Sequence, residues 1–369
     1  MTKENRKYIC GLTAVGAVWI ALTLSAWLKS PQDISVSERR KLEQPPKLTI
    51  DSVISGEFMT DFQNYATDQF PMRDSFRKLK ATVAFDVFNQ KDNNNIYIAD
   101  GHAVKIEYPL NQKSVDNAVK RFNKIYEKYL RDTDCNVYLS IVPDKHYYLA
   151  AKHSYPRMNY ERLIDAVRRG TNFAEYIDIT GCLSIDDYYR TDPHWRQEKI
   201  IGAADKISQA MGASAVNYQD YREAVAEENF YGAYYGQSAL PLDSESINYL
   251  TNEILEKCTV YNAETDTTGG IYEFDKLKGY DQYDFFLSGA SPIIKITNPS
   301  ADQKSHLVVF RDSFGSSIVP LLVEGYSEIT LLDIRYISSD MLENYVDFDN
   351  CDVLFLYSTS VLNNSSTLK

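Results

Sequence analysis

Four short apolar segments constrain the fold of this 369-residue chain more than any other feature. They are residues 137–142, 307–310, 329–332 and 353–356. Each is rich in Val, Ile, Leu or Phe and has the length of a strand that is buried on both faces. Helical periodicity over residues 115–129 and 196–211 predicts helices along the same part of the chain. Strands that alternate with helices form a mostly parallel sheet with helices on both faces. We therefore predict a three-layer α/β sandwich.

One apolar run is long enough to cross a bilayer. It extends from Tyr8 to Leu28 and contains no charged residue. Lys3, Arg6 and Lys7 precede it, so the positive-inside rule places the N-terminus in the cytoplasm and the rest of the chain outside. The alternative is a cleaved signal peptide, but the run is longer than a usual signal h-region and lacks a following A-x-A site. We predict a single-pass protein of the bacterial cell membrane.

The domain organisation follows from this segment. We predict a cytoplasmic tip and transmembrane anchor over residues 1–28 and a proline-containing linker over residues 29–50. Residues 51–369 then form one extracytoplasmic α/β domain. Within that domain, residues 213–305 are less regular, and we predict that they insert into the core or cap it.

The composition argues against nucleic acid as a partner. The net charge is −12, and an acidic exported domain repels phosphate groups. The histidines outside the motifs discussed next are His102, His146, His153 and His306. None has the spacing of a zinc-binding pair, and we predict neither a metal nor a cofactor.

Four cysteines lie in the predicted exported part. They are Cys135, Cys182, Cys258 and Cys351. In an oxidising compartment four cysteines suffice for two disulfides, and in a domain of this size they are equally compatible with buried free thiols. The sequence leaves both alternatives open.

Two separate motifs together contain the groups of a serine acyl-transfer site. Asp192 and His194 stand two residues apart, and Ser313 follows a predicted strand at the start of a predicted helix. A serine hydroxyl becomes a good nucleophile when an imidazole accepts its proton, and a carboxylate orients that imidazole. Each motif also has a structural interpretation, because Asp-Pro and Asp-Ser are common at helix N-termini. Pro193 disfavours the α conformation at Asp192, so the carboxylate can turn back toward His194.

Other segments extend the pattern over most of the predicted exported domain. They are Gly56-Glu57-Phe58, Asp68-Gln69-Phe70-Pro71-Met72-Arg73-Asp74, Tyr189-Arg190-Thr191-Asp192, Phe230-Tyr231-Gly232, Asp312-Ser313-Phe314, Val319-Pro320, Asp333-Ile334-Arg335-Tyr336 and Asp352-Val353-Leu354-Phe355-Leu356-Tyr357. With these segments the chain resembles the bacterial DHHW family, named for an Asp-His-His-Trp motif. Through that family it is similar to SGNH-hydrolase-like proteins of the alginate O-acetylation type. The resemblance implies an SGNH-like three-layer sandwich.

The resemblance also implies roles for the motif residues. Ser313 would be the nucleophile, His194 the general base and Asp192 its orienting partner. Two positions depart from the family pattern. Pro193 replaces the first His of the family motif, and Arg311 replaces the glycine of the usual Gly-Asp-Ser block.

Four further residues are candidates for substrate binding. Tyr189 precedes the Asp-His motif, and tyrosine rings suit sugar rings as well as half-buried packing. Trp195 follows the motif and is a candidate for packing or for substrate contact. Gly232 allows close backbone approach to substrate or loop flexibility. Asp144 follows the strand that ends at residue 142, so it lies either in the cleft or in a solvated turn.

The resemblance implies O-acetylation or deacetylation of a cell-envelope polysaccharide outside the membrane. It also implies a membrane-bound O-acyltransferase partner that supplies acetyl groups. The alternative is a glycan-binding or assembly protein that keeps the fold without the chemistry, and the replacement at Arg311 favours that alternative.

Overall fold

A computed structural model describes residues 3–301 and 305–369. The chain divides into two compact units. One contains the residues up to 93 together with 239–241, and the other contains residues 94–238 and 242–369. The compact unit that contains the main sheet therefore begins at residue 94, whereas the predicted start of the extracytoplasmic domain at residue 51 remains a prediction.

The first unit is mainly helical. Its elements are α1 (Lys3–Leu28), β1 (Ile34–Ser35), β2 (Arg40–Lys41), α2 (Ile50–Ser55), α3 (Glu57–Asp68) and α4 (Arg73–Asp86). Within α1, the segment Asn5–Leu28 has a mean hydropathy of 1.9 and is long and apolar enough to cross a membrane by length and composition. Arg40 binds Asp68 through two hydrogen bonds of 2.7 and 2.6 Å. These bonds lower the pKa of the Asp68 carboxyl to about 2.

The second unit contains the α/β core. Its helices are α5 (Gln112–Ile125), α6 (Lys145–Leu149), α7 (Tyr160–Gly170), α8 (Ile201–Ala210), α9 (Ala233–Ser238), α10 (Glu253–Lys257), α11 (Gly315–Ile318) and α12 (Thr359–Asn363). Its strands are β3 (Ile96–Ala99), β4 (His102–Lys105), β5 (Asn136–Val142), β6 (Glu175–Tyr176), β7 (Arg222–Phe230), β8 (Glu245–Thr251), β9 (Thr259–Asn262), β10 (Thr267–Gly269), β11 (Ile293–Thr297), β12 (His306–Arg311), β13 (Glu328–Leu332) and β14 (Cys351–Ser358).

Among the described residues the main sheet has eight strands, in the order β10-β9-β11-β13-β12-β14-β5-β6. The five strands from β13 to β6 pair in parallel, and β11, β9 and β10 continue the sheet antiparallel at one end. The four strands predicted from the apolar segments are β5, β12, β13 and β14, and all four belong to the parallel part. The sheet is thus mostly parallel, as predicted.

Helices cover both faces of this sheet. Along β12, Leu307 and Val309 point into one hydrophobic cluster, whereas Val308 and Phe310 point into the other. Apolar residues of α8 and α11 pack in the first cluster, and those of α5 and α7 pack in the second. Both faces of the strand are buried, which explains why its sequence is continuously apolar instead of alternating. The predicted three-layer sandwich is confirmed.

Some predicted elements differ from the structure. Residues 213–305 were predicted as an insertion or cap, but β9, β10 and β11 within this range extend the main sheet. These strands are short and lie at an antiparallel end, so their sequences lack the long apolar run of a central strand. Residues 196–211 form a 3₁₀ turn, Gln197–Lys199, before α8 instead of one helix.

Candidate active site

Ser313 lies just beyond the C-terminal end of β12, between the ends of its parallel neighbours β13 and β14. The Asp312 carboxylate holds this turn, because it accepts hydrogen bonds from the N–H of Phe314 (3.0 Å) and the N–H of Ser358 (2.7 Å). Helix α11 begins two residues after the serine, at Gly315. Ser313 is half-buried. The turn therefore presents its hydroxyl at the edge of the sheet where ligands of parallel α/β proteins bind.

The Asp192–His194 segment is a tight loop. Its ends are joined by an antiparallel bridge between Tyr188 and Trp195 and by a 3.0 Å hydrogen bond from the N–H of Tyr189 to the carbonyl of His194. The Asp192 carboxylate is fully buried. It accepts hydrogen bonds from the N–H of His194 (3.2 Å) and the N–H of Ala233 (2.8 Å). These two hydrogen bonds hold the Asp192 carboxylate in place independently of its contact with the imidazole.

The three predicted catalytic side chains are in contact although 119 residues separate His194 from Ser313. His194 Nδ1 is 2.6 Å from Asp192 Oδ1, and His194 Nε2 is 2.8 Å from Ser313 Oγ. With the proton on Nδ1, the imidazole donates to the carboxylate and accepts from the serine hydroxyl. This is the hydrogen-bond arrangement of a Ser-His-Asp triad.

The Ser313 turn also offers a hydrogen-bond donor to a reacting carbonyl. Within residues 3–301 and 305–369, no acceptor is hydrogen-bonded to the backbone N–H of Ser313. A backbone N–H at the nucleophile is one of the usual donors of an oxyanion hole.

Tyr283 packs directly on the imidazole and was not predicted. The rings of Tyr283 and His194 are stacked with centroids 3.9 Å apart and an angle of 3° between their planes. Tyr283 is buried, and its hydroxyl donates a 2.8 Å hydrogen bond to Ser317 Oγ. Burial raises the pKa of this hydroxyl, so it stays protonated. Nothing in the sequence around Tyr283 indicates this contact, because the residue comes from the irregular region between β10 and β11.

Two buried charged residues hold the loop that precedes Asp192. The Glu245 carboxylate accepts hydrogen bonds from the N–H groups of Arg190 (2.8 Å) and Thr191 (2.7 Å) and from the Thr191 hydroxyl (2.5 Å). Lys145 Nζ donates to the carbonyls of Tyr189 (2.9 Å) and Arg190 (3.3 Å). Burial lowers the pKa of Lys145 to about 7. Neither residue could be predicted from the sequence, because each is distant in sequence from the loop.

Gly232 lies against Asp192 instead of facing a substrate. A Cβ atom at Gly232 would be 2.3 Å from Asp192 Cβ and 2.5 Å from Asp192 Cα, which is too close for any side chain. Its N–H donates a 2.9 Å hydrogen bond to Thr191 Oγ1. The predicted close approach at Gly232 exists, but the partner is the backbone of the Asp192 loop.

Tyr189 and Trp195 were predicted to bind substrate, and the structure buries both completely. Tyr189 packs edge-on against Phe230. The Trp195 indole N–H is within hydrogen-bonding distance of Ser317 Oγ (2.8 Å) and of the carbonyl of Phe314 (3.2 Å). These contacts give both side chains a role in packing around the loop and the serine turn, and neither side chain is accessible to a substrate.

Asp144 was also predicted to bind substrate, but its carboxylate is buried and occupied. It accepts hydrogen bonds from the hydroxyls of Tyr160 (2.8 Å) and Thr359 (2.6 Å) and from the N–H of Tyr147 (3.2 Å). The last bond caps the N-terminus of α6. Asp144 therefore ties α6, α7 and α12 together.

The two departures from the family pattern do not separate the triad residues. Pro193 lies inside the tight loop, and the Asp192–His194 hydrogen bonds form around it. The Arg311 side chain is completely buried and donates hydrogen bonds to the Gly289 carbonyl (3.0 Å) and Ser316 Oγ (3.1 Å). The guanidinium therefore lies inside the protein, not in the space in front of the serine.

Among the described residues, no group of three or more His, Cys, Asp or Glu side chains is arranged to hold a metal ion. The five cysteines are present as free thiols.

The fold is a mostly parallel α/β sandwich, and the candidate site at the carboxyl ends of its strands brings a serine, a histidine and an aspartate into hydrogen-bond contact. The sequence model of the DHHW family, described as DHHW protein, matches residues 181–332, a range that contains the Asp192–His194 loop and the Ser313 turn. The predicted resemblance to the DHHW family is thereby confirmed.

Solved structures show the same fold. A DHHW family protein from Eubacterium siraeum has a TM-score of 0.60 and 21% sequence identity, covering 75% of this chain and 95% of that chain. Bacillus cereus PatB1 with a sulfonyl adduct has a TM-score of 0.59 and 18% identity, covering 72% of this chain and 97% of that one. A second structure of Bacillus cereus PatB1 has a TM-score of 0.58 and 18% identity, covering 72% of this chain and 96% of that one. No curated protein matches the chain.

Proposed function

We propose that this chain is a serine O-acetyltransferase or acetylesterase that acts on a cell-envelope polysaccharide. The observation that carries the proposal is the pair of hydrogen bonds from Ser313 to His194 and from His194 to Asp192, at 2.8 and 2.6 Å. A fully buried carboxylate beside the imidazole stabilises the imidazolium that forms when the base takes the serine proton.

In the proposed reaction Ser313 Oγ attacks the carbonyl carbon of an acetyl ester while His194 Nε2 takes the hydroxyl proton. The backbone N–H of Ser313 donates to the developing oxyanion. His194 then protonates the departing alcohol, which leaves an acetyl-serine. A sugar hydroxyl or water attacks this ester with His194 again as base, so transfer and hydrolysis share one intermediate.

The proposed location is the outer face of the bacterial cell membrane. In this proposal α1 is a signal anchor, the N-terminus stays in the cytoplasm, and the α/β unit is outside the cell. The three basic residues before the apolar run support this orientation. A membrane-bound O-acyltransferase would supply acetyl groups, and the acidic charge of the chain argues against nucleic acid as a partner.

Covalent labelling tests the nucleophile. The full chain in detergent is incubated with a fluorophosphonate probe, and in parallel with a sulfonyl fluoride, since the PatB1 structure contains a sulfonyl adduct. Intact and peptide masses should show one adduct on Ser313. The adduct should be absent from Ser313→Ala and present in Ser55→Ala, a control in α2. His194→Ala should label on the order of 10⁶-fold more slowly than wild type, because the base that accepts the serine proton is lost.

Substrate class is tested with p-nitrophenyl acetate as donor and a panel of envelope polysaccharides as acceptors. Acetyl transfer or hydrolysis that disappears in Ser313→Ala supports the proposal. A folded protein that is neither labelled nor active, yet binds a glycan of the panel, would instead establish the non-catalytic binding role that the replacement at Arg311 favours.

A further inference from the structure

Two cysteines that no catalytic argument uses lie side by side at one end of the main sheet. Cys135 directly precedes β5, and Cys351 is the first residue of β14. These strands are parallel neighbours, and their register pairs Asn136 with Asp352. Continuing the register by one residue places Cys135 opposite Cys351. Their Sγ atoms are 3.1 Å apart, although 216 residues separate the two cysteines in sequence.

The backbone geometry at this position suits a covalent bond between the sulfurs. Neighbouring strands are about 4.7–4.9 Å apart, which falls inside the range of roughly 4.4–6.8 Å between Cα atoms that disulfides span. Both sulfurs also lie beside one acceptor, the Phe348 carbonyl oxygen. The two side chains therefore leave the sheet on the same face and already point at each other.

We propose that Cys135 and Cys351 form a disulfide when the protein meets a small-molecule disulfide oxidant outside the reducing cytoplasm. The inference does not depend on the chemistry of Ser313.

The reaction consists of two thiol–disulfide exchanges. The Cys135 thiolate attacks the oxidant, forms a mixed disulfide and releases one thiol. Cys351 then loses its proton and attacks the Cys135 sulfur, which releases the second thiol and completes the protein disulfide. In total two protein thiols lose two protons and two electrons, and one oxidant disulfide becomes two thiols.

The surroundings of the two thiols explain why Cys135 reacts with the oxidant before Cys351 does. Cys135 is partly exposed and Cys351 is buried. Burial and the adjacent Cys135 thiol raise the pKa of the Cys351 thiol, so Cys135 is the better first nucleophile. Cys351 needs no access to the oxidant because the mixed disulfide forms beside it.

The disulfide would join two central strands at the end opposite the candidate active site. The other end of β14 is Ser358, whose N–H donates to the Asp312 carboxylate in the serine turn. A disulfide at Cys351 thus constrains the strand that supports this turn without contacting the triad. It also closes a long loop, the case in which a cross-link restricts the unfolded chain most.

Thiol mapping on the full chain in detergent tests the proposal. Reduced protein is incubated with oxidised glutathione, unfolded, alkylated and digested. We expect one linked peptide pair containing Cys135 and Cys351, while Cys10, Cys182 and Cys258 remain alkylatable. Oxidised wild type should melt at a higher temperature than reduced wild type. Cys135→Ser should lose both the linked peptide and this difference, whereas the control Cys182→Ser should keep both.

Two results would overturn the proposal. One is folded protein that retains five alkylatable cysteines after prolonged exposure to the oxidant. The other is a linked pair that joins Cys135 or Cys351 to a different cysteine.

Discussion

Replacing Gly232 by alanine tests whether the position of Asp192 controls the reactivity of Ser313. A Cβ at Gly232 would be 2.3 Å from Asp192 Cβ, 2.5 Å from Asp192 Cα and 2.6 Å from Asp192 N. Carbon atoms in ordinary contact are about 3.5–4.0 Å apart, so one of the two segments must move by roughly 1 Å. Two of these atoms belong to the Asp192 backbone and the third is its Cβ, so no side-chain rotation relieves the contact.

A displacement of this size has a large expected effect on rate and a smaller one on stability. A misplacement of about 1 Å costs on the order of 10²-fold in rate. Complete loss of the carboxylate's orienting effect on the imidazole costs about 10⁴-fold, which sets the upper limit. Overpacking of this kind destabilises a protein by about 1–3 kcal/mol. We expect Gly232→Ala to fold and to react between 10² and 10⁴-fold more slowly than wild type, with the limits taken from these estimates.

The assay is the second-order rate constant of fluorophosphonate labelling, measured beside a thermal melt. The matched control is Gly202→Ala in α8, where an added Cβ would meet no atom within 4 Å. That variant should label at the wild-type rate and gain about 0.4–1 kcal/mol of stability through the unfolded chain. If folded Gly232→Ala labelled within a factor of two of wild type, the argument that Asp192 must be held at this position would be wrong.

Two further predictions concern the surroundings of the triad. Tyr283→Leu should slow labelling by about 3- to 10-fold because it removes the stacked ring that orients His194 and stabilises its charged form. Tyr283→Phe keeps the ring and should label nearly as fast as wild type, and equal rates for the two variants would contradict this role for stacking. For Lys145, burial lowers the folded-state pKa from 10.5 to about 7, so between these values the unfolded chain binds the additional proton. The free energy of unfolding should therefore increase with pH above about 7, with a slope of at most about 1.4 kcal/mol per pH unit. Below about pH 7 Lys145 is protonated in both states and contributes no pH dependence. Denaturant unfolding at several pH values measures the slope, and Lys145→Met should remove this contribution. An unchanged slope in the variant would refute the assignment.

The three candidate catalytic side chains could be predicted from sequence because their chemistry and local setting are visible in short motifs. Asp192 and His194 are close in sequence, and an apolar strand directly precedes the Ser313 turn. The residues that hold these groups in place belong to no recognisable sequence motif. Tyr283, Glu245 and Lys145 reach the site from other parts of the chain, and neither residue type nor spacing distinguishes them from surface or core residues elsewhere.

The substrate-binding predictions show the same limit. Tyr189, Trp195 and Asp144 were chosen because they are adjacent to a motif or a strand end, and adjacency in sequence does not determine on which side of the backbone a side chain lies. All three are buried by elements that come from distant segments. Gly232 was predicted to approach a substrate, and in the folded chain its close neighbour is Asp192, which only tertiary structure could identify.

The central strands, the helices on their two faces and the identity of the three predicted catalytic groups follow from local sequence patterns. Hydrophobic periodicity and local hydrogen bonding are properties of neighbouring residues, so a single segment reveals them. Tertiary structure alone decided that His194 Nε2 meets Ser313 Oγ, that Tyr283 covers the imidazole, and that Cys135 lies opposite Cys351. These contacts depend on strand order and register, which are set by the packing of the whole core.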